Sequence, residues 1–359
     1  MEIFTFESLD EYEKAMLRRY KSDPNFINNK SGILKIACGP KGAFFRNTRQ
    51  KMIGVKADGE ILCQCVLIKH RNAEILTVSF FEAAENAASA VGLMMARAES
   101  YARDMGAKRL VVALDGHCNY SVGFSGCAFS GPPLFGESYN PVYYSSYFQT
   151  GYRELRLSSY SGDFGDIYDK AEVLAARIEK RKTGVQTRCA DMSRFRTEIA
   201  RYTDLSNEIF REHWYYFHRE YDEDYELFRL MKPLLTPFSL IFAVKDGIDI
   251  GYILLYPDFN QLVAAGGEAG IRTFLKHKLL RGCPDVVKIA EIAVLPEYRA
   301  TGAIVTLFAE SCRQIRRRFP QMKRVVSSWI ANENTDSLNI TKRFAPDLHG
   351  SYAAYEKEI

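Results

Sequence analysis

Glu291-Ile-Ala-Val-Leu-Pro296-Glu-Tyr-Arg299-Ala-Thr-Gly302-Ala-Ile304, continuing through Val-Thr-Leu-Phe308-Ala-Glu-Ser-Cys312-Arg-Gln-Ile315, is the stretch on which the fold turns. The β-branched run from Val286 to Val294 has the composition of a buried strand, and Pro296 closes it. Apolar residues at 304, 307, 308 and 315 then fall on one helix face. Between strand and helix lies Arg299-Ala300-Thr301-Gly302. A helix starting there offers unpaired backbone N–H groups and the positive end of its dipole, and a glycine lets an anion approach the backbone closely. Strand, turn and helix together predict a phosphate cradle formed by Arg299, Ala300, Thr301, Gly302, Ala303 and Ile304.

Composition sets the frame around this unit. At 359 residues the chain exceeds the usual size of one hydrophobic core, which predicts two domains. The 23 Phe and 21 Tyr suit large cores or an aromatic-lined cleft. No apolar run approaches the roughly 20 residues needed to cross a bilayer, and the acidic start lacks the basic region of a signal peptide. A cytoplasmic protein without a membrane partner is the expectation. Eight cysteines without a Cys-x-x-Cys pair read as free thiols, with Cys63 and Cys65 on one face of a strand. The net charge of +4 is mild, although Arg313 to Arg318 with Lys323 and Arg324 forms a local basic cluster that suits a polyanionic donor.

Residues 1–24 read as an amphipathic helix broken at Asp23-Pro24, and Phe44 to Leu67 as two strands about a turn at Lys56-Ala-Asp-Gly59. A second such turn follows about 190 residues later, where Ile241-Phe-Ala-Val-Lys-Asp-Gly247 matches Met52-Ile-Gly-Val-Lys-Ala-Asp-Gly59. Ala96-Arg-Ala-Glu-Ser matches the helix holding Phe308-Ala-Glu-Ser, and Ala107-Lys-Arg-Leu-Val-Val matches Met322-Lys-Arg-Val-Val-Ser. Hairpin, strand, helix and strand therefore recur in the same order. A repeat this long means two copies of one α/β domain, over residues 1–162 and 189–359, with a charged helix and connection at 163–188. The copies differ at the cradle. The first has Phe80-Phe-Glu82-Ala-Ala-Glu85 and no glycine, so carboxylates at the helix start should repel a phosphate there. The turn-rich segment from Gly116 to Pro133 then leads to Tyr139-Asn-Pro141.

The order strand, Pro-x-x-Arg-x-x-Gly, helix resembles the acyl-CoA-binding motif of the GCN5-related N-acetyltransferase (GNAT) superfamily, Arg/Gln-x-x-Gly-x-Gly/Ala, with Ile304 departing from the pattern at its sixth position. The resemblance extends over nearly the whole chain. Tyr139-Asn-Pro-Val-Tyr143-Tyr144, Trp214, Pro257-Asp258-Phe-Asn260, Arg299 with Gly302, and Ser328-Trp329-Ile330 with Asn332 and Asn334 look like the ordered motifs of a bacterial family of double-GNAT proteins.

That resemblance implies an α/β fold with a mixed sheet in two tandem lobes, and an N-acyltransferase moving an acyl group from acetyl-CoA or another acyl-CoA to an amine of a small molecule or peptide held between them. It implies a backbone N–H near Val294 polarising the thioester carbonyl, Glu291 receiving the amine's proton, and Asn332 and Asn334 holding the pantetheine amides. The helix at 334–344 lacks the tyrosine that usually protonates the leaving thiolate, which leaves Tyr352 or Tyr355 of the terminal strand, with Tyr355 the chosen candidate. Tyr143, Tyr144, Trp214, Asp258, Asn260 and Trp329 are the candidate acceptor contacts. No histidine has metal-ligand spacing, so no metal is expected. Two alternatives stand beside this reading. One is a Fem-like transferase using aminoacyl-tRNA or an acyl carrier protein as donor, which Ile304 and the basic cluster would suit. The other is a non-catalytic binding protein that keeps the fold.

Overall fold

The computed structural model describes residues 1–126, 131–278 and 284–359. The first half runs β1 (Glu2–Thr5), α1 (Leu9–Arg18), α2 (Lys30–Cys38), α3 (Ala43–Arg46), β2 (Thr48–Ala57), β3 (Glu60–His70), β4 (Ile75–Ala83), α4 (Ala88–Asp104), β5 (Arg109–Val112), β6 (Phe124–Ser125) and β7 (Arg153–Asp163). Helix α5 (Phe164–Lys180) leads into the second half. There follow β8 (Gln186–Cys189), α6 (Phe195–Ile209), α7 (Tyr221–Met231), β9 (Leu240–Lys245), β10 (Ile248–Pro257), α8 (Ile271–Lys278), β11 (Val286–Val294), α9 (Ala303–Arg318), β12 (Arg324–Ser327), β13 (Ile330–Ala331), α10 (Thr335–Phe344) and β14 (Asp347–Glu358). Of the turn-rich segment 116–133, residues 127–130 lie outside the described residues, as do Cys127 and Cys283; Cys38, Cys63, Cys65, Cys118, Cys189 and Cys312 are free thiols.

The two hairpins share one turn chemistry. Asp58-Gly59 has φ of 51° and 83°, and Asp246-Gly247 has 51° and 80°. Two successive positive φ values are the signature of a type I′ turn, whose twist matches that of paired strands and which favours Asp-Gly. The amino-terminal expectation needs correction. Residues 2–5 do not continue a helix but pair antiparallel with β2, Glu2 opposite Lys56 and Thr5 opposite Ile53. The helix begins only at Leu9, where the Ser8 side chain accepts from the Glu11 N–H at 3.2 Å.

The halves are fused through their last strands. The sheet order is β1-β2-β3-β4-β5-β14-β7-β12-β11-β10-β9-β8. β14, the end of the chain, pairs with β5 of the first half, from Tyr355 opposite Val112 to Glu358 opposite Arg109. β7, the end of the first half, pairs with β12 of the second, and the two exchanged strands pair with one another from Asp347–Ser161 to Glu356–Arg153. The boundaries expected at 162 and 189 follow sequence order, whereas in space β14 completes the first half's strands and β7 the second's. Within each lobe one strand pair is parallel, β4 with β5 and β11 with β12, and the connecting helices α4 and α9 supply the crossovers that parallel pairing requires.

α5 is a packed element and not a free connection. Its Glu172 takes Arg313 of α9 at 2.7 Å, and Arg316 lies over the Tyr168 ring at 4.2 Å. Lys323 pairs with Asp285 at 3.0 Å and Arg324 donates to Ser161 at 2.6 Å. These cations of the basic cluster are thus engaged within the chain.

Candidate active site

The site begins at an irregularity in β11. Leu254 of β10 faces Glu291 and its neighbour Leu255 faces Ile289, so Ala290 is extra and the strand bulges there. The parallel pairing of β11 with β12 stops at Ile289 and Ser327, and Ser328 caps it by donating to the Ile289 carbonyl at 2.8 Å. Beyond that point the strands part. The Leu295 N–H donates to Ile250 of β10 at 2.9 Å. By the two-residue alternation of a strand, the Glu291 and Ala293 N–H groups share that direction, while those of Ile292 and Val294 are directed into the gap.

Glu291 sits where the gap opens into a cavity of about 770 Å³ whose walls come from both lobes. Its Oε2 accepts from the Tyr202 hydroxyl of α6 at 2.6 Å, and the Tyr252 hydroxyl, which bonds to Ser206 at 2.7 Å, adds to the polar surroundings that hold its charge. Burial raises the Glu291 pKa, and this outweighs the opposing pull of the Arg219 guanidinium and the two tyrosines. Arg219 is itself buried and ion-paired with Asp224. The Asn119 amide, turned with its oxygen towards Arg219, accepts from Nη1 and Nη2 at 2.5 and 3.0 Å. Cys118 lines the same wall, but burial pushes its thiol up to about 12, so it remains protonated and is no nucleophile at neutral pH. The arrangement is a carboxylate with raised proton affinity, held by hydroxyls beside inward-directed backbone donors.

Arg299, Gly302 and Ile304 line the cavity at the start of α9. Gly302 has φ 83°, a left-handed conformation costly for any residue with a Cβ. A Cβ there would lie 2.6 Å from Ile178 Cδ1 of α5. This adds a second reason for glycine to the sequence reading: the packing of α5 on the turn requires it, because the space its missing Cβ leaves faces Ile178. The first N–H groups of α9, with the exposed Arg299 beside them, remain a suitable anion cradle. Tested against this geometry, the residues present fit an acyl-CoA: a cradle for phosphates, a gap between parted strands, and a carboxylate at its inner end.

Of the other candidates, Asn334 and Trp329 also line the cavity. Asn334 is the cap of α10, accepting from Ser337 N–H at 3.1 Å. Val294, Ala300, Thr301 and Ala303 form the backbone about the cradle; the Thr301 hydroxyl donates to Tyr298 O at 2.6 Å. Tyr355 does not fit the role of acid: it is 2% exposed, with its ring 5.6 Å from that of Phe148 in the first-lobe core. Tyr352, on the opposite side of the strand, lines the cavity and donates to Glu137 at 3.2 Å. Asn332 lies outside the cavity wall and accepts from Ser158 at 2.9 Å. Tyr143 and Tyr144 face the first lobe, donating to Ala83 O at 3.0 Å and to Glu82 at 2.6 Å. Asp258 accepts from Phe135 N–H at 2.8 Å, and Asn260 donates to Pro133 O at 2.8 Å, so both tie a first-lobe loop to the second lobe. Trp214 packs edge-on against Tyr215, outside the cavity wall.

Sequence reasoning missed Tyr202, Arg219, Asn119 and Cys118. Arg219 follows the aromatic run Trp214 to Phe217, and Asn119 lies in the turn-rich segment after Gly116, but nothing local shows that either approaches Glu291. At the equivalent bulge of the first lobe, Glu82 is not at a helix start: it is buried within β4, paired with Lys30 at 2.5 Å and bonded by Tyr20 and Tyr144.

No family model matches the sequence. A curated relative described as a bacterial ceramide synthase, from Caulobacter vibrioides (strain NA1000 / CB15N), is 22% identical over 290 residues, covering 77% of this chain and 74% of that protein. Among solved structures, a tandem GNAT protein from the clavulanic acid biosynthesis pathway superposes with a TM-score of 0.55 at 13% identity, covering 99% of this chain and 98% of that one. A conserved protein of unknown function from Enterococcus faecalis V583, described as a probable N-acyltransferase, gives 0.52 at 10% identity, covering 100% of this chain and 71% of that one. The chain is a tandem GNAT-fold protein.

Proposed function

We propose that the chain is an N-acyltransferase that joins an acyl group, delivered as a thioester of CoA, to an amine bound between the lobes. The observation that carries this is Glu291: a half-buried carboxylate of raised pKa, bonded to Tyr202, at the point where β11 and β12 part and two backbone N–H groups are directed into the gap. Acyl transfer needs a base for the amine and donors for the charge that develops on the carbonyl oxygen. The Caulobacter relative, described as a ceramide synthase, supports N-acyl transfer as the reaction class.

In this reading Arg299 and the start of α9 hold the phosphates. Glu291 takes the amine's proton, directly or through Tyr202, and the freed nitrogen pair forms the C–N bond. Ile292 or Val294 N–H stabilises the oxyanion. The C–S bond then breaks, its electron pair leaves on sulfur, and the proton released by nitrogen balances the thiolate as a free thiol. An acyl-CoA donor is favoured over aminoacyl-tRNA because Arg313, Arg316, Lys323 and Arg324 already have partners in the chain.

The test is amine-dependent thiol release from acyl-CoAs of graded length, with product mass confirming the amide. Glu291→Gln should lower kcat by about 10²–10⁴-fold. Undiminished turnover in that variant would remove Glu291 from the role. Absence of thiol release from any acyl-CoA, with release from charged tRNA or a carrier-protein thioester, would replace the donor.

A further inference from the structure

The cavity extends well beyond the reaction centre. One wall is built from Ile33 and Ile36 of α2 in the first lobe and from Leu227, Leu230, Met231 and Leu234 on and just after α7 in the second. None of the six side chains carries a group that could bond to a polar substrate. The wall ends at Leu230, which is 58% exposed and marks an opening to solvent. The cradle, by contrast, is at the start of α9, and the gap to Glu291 follows β11. The α2–α7 wall is therefore surface that a donor running from Arg299 to Glu291 does not use. At about 30 Å³ per non-hydrogen atom, the share of a water molecule in the liquid, the whole cavity holds on the order of 25 such atoms.

From these placements we infer that the acceptor is a long-chain amine, its nitrogen at Glu291 and Tyr202 and its hydrocarbon tail along the α2–α7 wall. This rests on the N-acyltransferase reading for its chemistry, although its binding component can be measured without a donor. Polar groups gather at the nitrogen's end, where Tyr202, Asn119 and Arg219 surround the carboxylate. Hydrocarbon side chains line the α2–α7 wall itself, while Asn29 and Lys30 stand at the start of α2. A concave apolar wall gains free energy from each methylene it covers, so affinity should climb with tail length and not with added charge.

Calorimetric titration of the full chain with straight-chain primary amines from butylamine to dodecylamine, below their micellar concentrations, tests this. Affinity should rise about fourfold per added methylene until the wall is covered. Leu230→Glu, at an exposed position where folding is not at stake, should flatten that rise, and Met231→Trp should truncate it. Binding independent of chain length, or spermidine bound as tightly as dodecylamine, would overturn the inference. Chain-length-dependent binding without amide formation from any thioester would leave the tail site standing and reject the catalytic reading. Equal kcat/KM for butylamine and dodecylamine would do the reverse.

Discussion

Gly302→Ala separates two reasons for a glycine at the cradle. The substitution places a methyl group at φ 83°, which costs about 1–2 kcal/mol for a residue with a Cβ. The same methyl would lie 2.6 Å from Ile178 Cδ1 and 3.0 Å from its Cγ1 and Cγ2, an overpacking that costs about 1–3 kcal/mol if α5 shifts to relieve it. The sum, about 2–5 kcal/mol, is a large part of the 5–15 kcal/mol typical of a folded protein. Urea unfolding followed by circular dichroism reads it as a lower midpoint. Ile178→Ala removes the contacted side chain, so the double variant should recover the packing part and leave the backbone part, giving a coupling of about 1–3 kcal/mol. If the methyl meets Ile178 and not a ligand, acyl-CoA should bind the folded double variant nearly as it binds wild type. A Gly302→Ala cost below about 0.5 kcal/mol, or no coupling to Ile178, would refute the packing argument. Intact stability with lost donor binding would restore the phosphate explanation.

The remaining predictions concern titration. Burial raises the Glu291 pKa and the Tyr202 bond opposes the rise, so kcat/KM should climb as pH passes through that raised value, and Tyr202→Phe should move the climb to higher pH. An unshifted profile in Tyr202→Phe would mean that the observed limb belongs to another group. Burial also pushes the Asp258 carboxyl up to about 6, against about 3.9 in an unfolded chain, so the native state holds this proton the more tightly. The resulting stability is complete below about pH 4 and is lost as pH rises through about 6. Asp258→Asn, which has no charge to bury and keeps an oxygen for the Phe135 and Asn260 N–H groups, should therefore gain on the order of 2–3 kcal/mol relative to wild type between pH 4 and 7. Equal urea midpoint differences at the two pH values would count against it.

What the sequence made legible was local. The Asp-Gly hairpins, the strand ending at Pro296 and the helix after Gly302 each carry their own turn chemistry, and repetition of that order revealed two copies of one unit. The strand exchange left no such mark, because which lobe β7 and β14 complete depends on non-local pairing. The same limit misplaced the terminal tyrosine. Residues 352 and 355 are an odd number apart, so they face opposite sides of β14, and only the register with β7 and β5 decides that Tyr352 meets the cavity. Tyr202 and Glu291 lie 89 positions apart and meet because α6 packs against β10 and β11.

On the proposed reading the second lobe carries the reaction centre, and the first lobe differs from it at the matching bulge. β4 carries the same irregularity as β11: its register with β3 shifts between Gln64 and Val66, and Phe80 stands at φ 50°. In the second lobe the parted strand directs its donors into the cavity. In the first, the Phe80 N–H is already held by Asp115 Oδ1 at 2.6 Å, and Glu82 is paired with Lys30 at 2.5 Å. A thioester carbonyl would have to displace a carboxylate to use that donor. Asp115→Asn keeps the acceptor, and since burial already raises the Asp115 pKa, the neutral amide should be tolerated. Asp115→Ala leaves the Phe80 N–H without its partner and should cost about 1–3 kcal/mol in urea unfolding. It should not create a second acyl-transfer site, because α4 offers no glycine turn or arginine at its start. Wild-type stability in Asp115→Ala would show that this bond is not what closes the first lobe, and residual turnover in Asp115→Ala/Glu291→Gln above that of Glu291→Gln would show that the first lobe had kept a latent reaction centre.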